Sequence, residues 1–125
     1  MRLLLDTHAL IWWATEDGKL SREAHAAIAD PRNWVAVSAV SIWEISIKAA
    51  TGRLPLAQDL ADDVARYGLQ PLPITQEHAW AAGSLPLHHR DLFDRMLVAQ
   101  ARAEGLSIVT RDREIARYDV DLLAA

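Results

Sequence analysis

The N-terminal stretch MRLLLDTHALIWWAT, residues 1–15, decides the fold class. Residues 2–5 form an apolar run of strand length, Asp6 follows it, and residues 7–15 have the apolar pattern of a helix. A strand that passes directly into a helix is the repeating unit of α/β folds. In open sheets of this kind ligands bind beyond the carboxyl ends of the strands, so Asp6 is a first candidate functional residue.

Strand and helix patterns continue to alternate along the rest of the chain. Apolar runs predict four more strands, at residues 34–37, 70–73, 107–110 and 120–122. Helical patterns lie at residues 21–29, 39–51, 56–66, 76–82 and 91–104, and Gly105 then stands where a C-cap belongs. The alternation predicts an α/β fold with a central parallel sheet flanked by helices on both faces. Because the 125 residues contain no repeat or linker, we expect one domain over residues 1–125.

The composition narrows the possible functions. Hydrophobic residues make up 51% of the chain and charged residues 24%, which is typical of a folded globular protein. The absence of cysteine excludes disulfides, thiolate zinc sites and cysteine nucleophiles. No apolar stretch approaches the ~20 residues that span a bilayer, and no signal peptide is recognisable, so we expect a cytoplasmic protein. With a net charge of −4, the surface as a whole does not attract nucleic acid as a basic domain does.

Acidic residues follow three of the predicted strands. Asp6 comes directly after the first strand, Glu44 lies two turns beyond the second, and Asp112 follows the fourth. Asp91 and Asp94 open the last predicted helix and lie on nearly one face of it. In a parallel sheet these side chains meet at one edge, and crowded carboxylates need a counter-charge. Hard oxygen ligands without thiolates suit Mg²⁺ or Mn²⁺, ions that activate water for phosphodiester hydrolysis.

Each of these acids also has a purely structural interpretation, since aspartate is a favoured N-cap where a strand turns into a helix. Asp6, Asp91 and Asp112 could each cap the turn or helix that follows. Ser41 and Glu44 match the S-x-x-E pattern of a capping box. For any one of these residues taken singly, capping is the commoner role.

Glu44 and Asp94 fit the structural interpretation least well. The helix that carries Glu44 is apolar nearly all round, which predicts a buried helix, and a buried carboxylate needs a compensating cation. Lys48, four residues further on, could supply it as a structural ion pair. Asp94 comes after the better cap candidate, Asp91, so we expect it to have a role other than capping.

The histidines and tryptophans do not indicate another site. The five histidines lack zinc-ligand spacing, and we interpret them as surface or packing residues, with His8 and His89 lying nearest the acids. The five tryptophans could stack on RNA bases, although a core or interface position is commoner. Trp12 and Trp13 are consecutive and cannot both face one core, so at least one is expected to pack against another helix or a partner chain.

Four segments carry a resemblance that extends over the chain. They are LLLDTH at 3–8, SAVSIWEISIK at 38–48, HRDLFDRMLVAQA at 89–101 and VTRD at 109–112. In this order and at these separations they resemble the VapC-type PIN-domain ribonucleases, the toxins of bacterial type II toxin-antitoxin pairs. Leu92 stands where that family often has proline, a change that affects helix entry and leaves the ligand chemistry unaltered.

The resemblance implies a set of site residues and partners. It implies a catalytic quartet that holds Mg²⁺ or Mn²⁺, formed by Asp6, Glu44, Asp94 and Asp112. It also implies two accessory residues, Asp91 and Thr110, the second supporting a metal-bound water or Asp112. It further implies an RNA substrate, a homodimer and an antitoxin that occludes the acids. Residues 11–13 and 54–56 are plausible surfaces for such partners, although both could equally belong to the core.

Three arginines neighbour the acids in sequence and are candidate contacts for RNA phosphates: Arg90, Arg95 and Arg111. Such charges are more often simply solvated. The four acids of the quartet account for the whole net charge of −4, so the rest of the chain is neutral overall and need not repel RNA. We expect an RNA that is selected by loop shape and unpaired bases.

Three functions are therefore compared. The first, which we favour, is a Mg²⁺-dependent endoribonuclease that acts on single-stranded or looped RNA. The second is a phospho-accepting receiver-like signalling domain, which needs a lysine after its last core strand, whereas the chain has only Lys19 and Lys48. The third is an inactive interaction module in which the acids are helix caps and the tryptophans form the functional surface.

Overall fold

A computed structural model describes residues 1–16, 18–53 and 60–125. Within these residues the strands are β1 Arg2–Leu5, β2 Trp34–Ser38, β3 Gln70–Leu72, β4 Ser107–Thr110 and β5 Leu122–Ala124. The helices are α1 Thr7–Thr15, α2 Arg22–Ala29, α3 Ala39–Ala50, α4 Leu60–Arg66, α5 Gln76–Ser84 and α6 Leu92–Glu104, with a 3₁₀ turn at Ile115–Arg117. Among the described residues, no helix has the length and hydropathy needed to cross a membrane.

The strands form a parallel sheet in the order β3-β2-β1-β4-β5. In this sheet Leu5 of β1 lies opposite both Val37 of β2 and Val109 of β4. The central strands consequently end at the same level, and the residues that follow them share one edge of the sheet. The predicted α/β class with a central parallel sheet is confirmed.

Both faces of the sheet are buried, which explains why its strands are continuously apolar. Leu3 and Leu5 pack in one core cluster with Leu10 of α1. Leu4 points to the other face and packs with Leu97 of α6 in a second cluster. Because helices cover each face, β1 is held rigidly in the middle of the molecule. Its carboxyl end lies at the edge of the sheet where Asp6 and Asp112 follow their strands; we call this the acidic edge.

Most predicted boundaries agree with the structure to within two residues. The helix at 21–29 begins one residue later because Ser21 is its N-cap, and the helix at 76–82 continues to Ser84. The last strand lies at 122–124 rather than 120–122. Of the helix predicted at 56–66, residues 56–59 lie outside the described residues. Gly105 is the predicted C-cap of α6, with a positive φ of 67° that favours glycine.

Two predictions about α3 are wrong. The helix is capped by Ser38, whose hydroxyl accepts from the Val40 amide, so Ser41 and Glu44 do not form a capping box. The helix is also not buried all round. Trp43 is 59% exposed and Ile47 is 42% exposed, because the sheet and α6 cover one face of α3 and leave the other open.

A buried polar chain connects the end of β2 to α6. The Ser38 hydroxyl donates to Gln100 Oε1 at 2.5 Å, and Gln100 Nε2 donates to the Pro73 carbonyl at 3.3 Å. Both side chains are fully buried. Since a buried polar group without a partner is costly, these bonds fix α6 relative to the sheet edge.

Gln100→Ala is expected to lower the free energy of unfolding by about 2 to 4 kcal/mol, because it creates a cavity and leaves buried polar groups unpaired. Urea denaturation measures the effect. Arg102→Ala on the exposed side of the same helix is the control and should change stability by less than about 0.5 kcal/mol. Equal effects in the two variants would contradict a structural role for the Gln100 amide.

Candidate active site

The acidic edge begins with Asp6, which directly follows β1 and is buried. Its carboxylate accepts a hydrogen bond from the Ala9 amide at 2.8 Å and so caps α1, as one interpretation of the sequence predicted. The Thr110 hydroxyl, at the end of β4, is a second hydrogen-bond partner of this carboxylate. Capping fixes Asp6 without removing it from the edge where the other acids lie.

Asp112 is held two residues beyond the end of β4. Its Oδ1 accepts from the amides of Glu114 at 2.7 Å and Ile115 at 3.3 Å, so the predicted turn cap is present. Its own amide donates to Thr110 Oγ1 at 3.0 Å. These bonds engage one carboxylate oxygen and direct the other, Oδ2, toward the neighbouring acids.

At the start of α6, Asp91 and Asp94 have different roles. Asp91 is the N-cap and accepts from the amides of Phe93 at 2.8 Å and Asp94 at 3.1 Å. The Asp94 carboxylate makes no capping bond among the described contacts and instead extends toward Asp112. The expectation that Asp94 has a role other than capping agrees with this arrangement.

His89 lies between Asp94 and Asp112. Its Nε2 is 3.0 Å from Asp94 Oδ2 and 3.3 Å from Asp112 Oδ2. The three side chains offer ligand atoms that all lie within 4.8 Å of one another. The prediction that His89 lies near the acids agrees with this position, whereas its interpretation as only a surface or packing residue is wrong. The signal that could have identified it is its position two residues before the cap Asp91, in the turn that leads to Asp94.

Glu44 reaches the same edge from α3. Its Oε1 accepts from the Thr7 hydroxyl at 2.6 Å, and its Oε2 is 3.0 Å from Lys48 Nζ, which is the predicted ion pair. The Thr7 hydroxyl is also 3.2 Å from the Ser41 hydroxyl. Glu44 and Asp6 do not belong to the group within 4.8 Å, and they flank it as charged neighbours.

The carboxylates affect one another's ionisation. Burial is the main cause that raises the pKa of Asp94 to about 7, and the negative charges of Asp91, Asp112 and Glu44 raise it further, against the lowering effect of His89. Burial also raises the pKa of Asp6, partly offset by its hydrogen bonds. The edge is thus crowded with partly or fully buried acidic groups, and a cation there would stabilise their ionised forms.

Two of the three arginines proposed as RNA contacts bind other groups of the same chain. Arg95 is 7% exposed and donates to the carbonyls of Ala82 and Leu85, so its prediction as an RNA contact is wrong. The exposed Arg111 has its guanidinium 4.2 Å from the centre of the Trp12 ring and donates to the Ala125 carbonyl at 2.9 Å, so it already has partners within the chain. Arg90 is exposed and remains a candidate.

The aromatic stretch at residues 11–13 packs against the core. Ile11, Trp12 and Trp13 are partly buried against the cluster that contains Leu3 and Leu5. Trp13 also contacts the rings of His25 and Tyr67. The alternative surface at residues 54–56 lies outside the described residues.

Asp94→Asn is expected to stabilise the metal-free protein at pH 8. Because the folded pKa is raised from 3.8 to about 7, the folded state keeps a proton that the unfolded state has lost, and wild-type stability falls as pH rises through this window. One pKa unit corresponds to about 1.4 kcal/mol, and the variant also loses the ionic contact with His89. We therefore expect the free energy of unfolding to rise by about 1 to 3 kcal/mol.

The measurement is urea unfolding in EDTA at pH 5 and pH 8. The gain should be smaller at pH 5 than at pH 8, because wild-type Asp94 ionises in the folded protein only between these two values. Asp30→Asn serves as control, because the exposed Arg32 lowers the pKa of Asp30 to about 2 and this variant should not gain stability at pH 8. A loss of stability in Asp94→Asn at pH 8 would contradict the claim that burial and the neighbouring acids destabilise the ionised Asp94 carboxylate.

Comparisons with known proteins agree with this architecture. A family model described as the PIN domain matches residues 3–121. Ribonuclease VapC22 of Mycobacterium tuberculosis is 34% identical over 124 residues, which cover 93% of this chain and 91% of that protein.

Solved structures of toxin-antitoxin proteins share the fold. VapBC2 from Rickettsia felis, bound to a DNA fragment from its promoter, has a TM-score of 0.72 at 15% identity and covers 98% of both chains. DNA-bound VapBC from Salmonella typhimurium has a TM-score of 0.69 at 21% identity, covering 98% of this chain and 97% of that one. With the family match and the curated relative, they identify the chain as a member of the PIN-domain family, of the VapC type.

Proposed function

We propose that this chain is a divalent-metal-dependent endoribonuclease that hydrolyses single-stranded or looped RNA in the cytoplasm, as the toxin of a toxin-antitoxin pair. The observation that carries the proposal is the convergence of Asp94, Asp112 and His89 at the sheet edge, with Asp6 and Glu44 beside them. The family membership supports the reaction class.

The donor set fits Mg²⁺ or Mn²⁺. The proposed ligands are the carboxylates of Asp6, Glu44, Asp94 and Asp112, and hard oxygen atoms are what these ions prefer. The raised pKa of Asp94, caused mainly by burial and then by the charges of neighbouring acids, supports the assignment, because a bound cation would stabilise the ionised carboxylate. When bound, such an ion activates water and stabilises the charge that develops on the phosphodiester.

The contribution of the chain itself is to hold these oxygens in place before a substrate arrives. Thr7 and Lys48 each bind one oxygen of Glu44, so that side chain cannot turn freely. Asp112 is fixed by backbone amides and Asp6 by the amide of Ala9. Preorganised groups need no rearrangement during reaction, which is the main electrostatic advantage of an enzyme site.

Substrate binding is proposed to rely on few basic contacts. Arg90 is exposed next to the acidic edge and is the remaining candidate among the three predicted arginines for a phosphate contact. A ribonuclease with this surface would select RNA through its unpaired bases more than through overall charge.

The two alternative functions are not favoured. A receiver-like domain needs a free lysine beside its acids, and Lys48 is paired with Glu44. An inactive module would need each acid to be only a cap. That description suits Asp91, but it leaves the half-buried, non-capping Asp94 without a purpose.

The proposed partners are an antitoxin and a second copy of the chain. Several structural neighbours are toxin-antitoxin complexes, which supports an antitoxin that covers the acids. For the homodimer, we propose the groove of about 770 Å³ between α3, α5 and α6, whose lining includes Trp43, Leu87 and Leu92. These side chains are 59%, 75% and 77% exposed, and a cluster of exposed apolar side chains is typical of a protein interface.

Asp94→Asn and Asp6→Asn are each expected to lower RNA cleavage at least about 100-fold, as loss of a group that acts on the reacting charge does. The assay follows a fluorescent looped RNA with Mg²⁺, with Mn²⁺ and with EDTA. Asp30→Asn, at an exposed ion pair remote from the edge, is the matched control and should retain full activity. Undiminished cleavage in both site variants, or cleavage in EDTA, would remove the mechanism.

Trp43→Arg is expected to convert a dimer into a monomer, because a charge in the apolar groove must be desolvated on association. Size-exclusion chromatography with light scattering measures the mass. Tyr67→Arg, which introduces the same charge at an exposed aromatic residue outside the groove, should leave the dimer intact. A wild type that is monomeric at high concentration, or a dimeric Trp43→Arg, would exclude this interface.

A further inference from the structure

The turn between α5 and α6, residues 85–91, carries His89 into the acidic edge. It contains no helix or strand, and one backbone hydrogen bond lies within it, from the His88 amide to the Pro86 carbonyl at 2.9 Å. Two buried side chains, Arg95 and Tyr118, lie behind it and bind its backbone. We refer to these two side chains as the clamp.

Tyr118 binds the turn at two points. Its hydroxyl donates to the Pro86 carbonyl at 2.8 Å and accepts from the His89 amide at 3.0 Å. The residue is 5% exposed and comes from the segment after the 3₁₀ turn, far from the turn in sequence. A single hydroxyl thus connects both ends of the stretch that leads to His89.

Arg95 binds the beginning of the turn from α6. Its Nη2 donates to the carbonyls of Ala82 at 2.9 Å and Leu85 at 3.1 Å, and its Nη1 donates to the Pro86 carbonyl at 3.1 Å. Nη1 is also 3.3 Å from the Tyr118 hydroxyl. A charged donor that is buried among carbonyls resists displacement, because moving it would leave the charge unpaired.

The hydrogen bonds of His89 determine which ring nitrogen carries the hydrogen. Nδ1 accepts from the Asp91 amide at 3.3 Å, so in the neutral ring the hydrogen lies on Nε2. Nε2 then donates toward Asp94 Oδ2 and Asp112 Oδ2. A nitrogen that donates a hydrogen bond has no lone pair available for a metal ion.

We propose that His89 is a positioning residue, held by the clamp, which joins the Asp94 and Asp112 carboxylates as a hydrogen-bond donor and does not ligate the metal ion. The effects on the metal ion and on kinetics rest on the proposed nuclease function. The orientation of the imidazole ring and its tautomer do not, because both can be measured in the metal-free protein.

The first experiment examines the imidazole in the metal-free protein. In ¹⁵N NMR spectra at pH 8, the His89 ring should show the hydrogen on Nε2, and the His89 amide should exchange slowly with solvent. Tyr118→Phe removes only the hydroxyl and should accelerate exchange of that amide at least tenfold. Tyr67→Phe, the same change at the other tyrosine, should leave it unaltered. A hydrogen on Nδ1, or an unchanged amide in Tyr118→Phe, would overturn the proposal.

The second experiment examines the bound ion. Electron spin echo spectra of the Mn²⁺-loaded protein should show no coupling to a directly bound ¹⁴N nucleus. A coupling present in the wild type and lost in His89→Gln would identify His89 as a ligand and overturn the proposal. His25→Gln, at a histidine distant from the acids, is the control.

Kinetics separate positioning from general loss of structure. His89→Ala should lower kcat about 10- to 100-fold, as loss of a group that orients metal ligands does, with KM for RNA unchanged within about twofold. His89→Gln keeps an N–H donor and should recover part of the loss, whereas a merely structural role predicts no such rescue. Full activity in His89→Ala would overturn the proposal. A wild type that binds no Mn²⁺ and cleaves no RNA would instead refute the nuclease function. The NMR measurement would still show whether Tyr118 and Arg95 hold His89 in place.

Discussion

Several carboxylates that share one partly buried edge repel each other, and the rest of the structure is arranged around that constraint. The parallel register brings the ends of β1 and β4 level, so Asp6 and Asp112, which follow these strands, lie at the same edge of the sheet. Helix α6 then adds Asp94, whose pKa is raised to about 7 by burial and by its acidic neighbours. The apolar core on both faces of the sheet supplies the stability that keeps these charges together.

The sequence could not separate capping from membership of the acidic site, because the same residues cap an element and also lie at the sheet edge. Asp6, Asp91 and Asp112 each bind the backbone amides of a following turn or helix. For Asp112 this engages Oδ1 and leaves Oδ2 facing the other acids. Capping is thus the means by which short aspartates are fixed at the edge, and the two interpretations were compatible from the start.

The fold and the set of acids could be predicted because both follow from local patterns. Apolar runs of strand length and helical periodicity located the elements, and an acid after a strand is visible in the chain itself. The position of His89 and the burial of Arg95 could not be predicted, since both depend on a turn whose shape is set by Tyr118, more than twenty residues away in sequence. The exposed side of α3 was missed for a similar reason, because apolar residues such as Trp43 and Ile47 look the same whether they face a core or a partner.

Anomalous diffraction from crystals grown with Mn²⁺ can decide whether the acids form one divalent-metal site. The expected result is anomalous density at the sheet edge within bonding distance of carboxylate oxygens from Asp94 and Asp112, with His89 beside it and not bonded to it. Anomalous density elsewhere on the molecule, with none at this edge under saturating Mn²⁺, would contradict the claim.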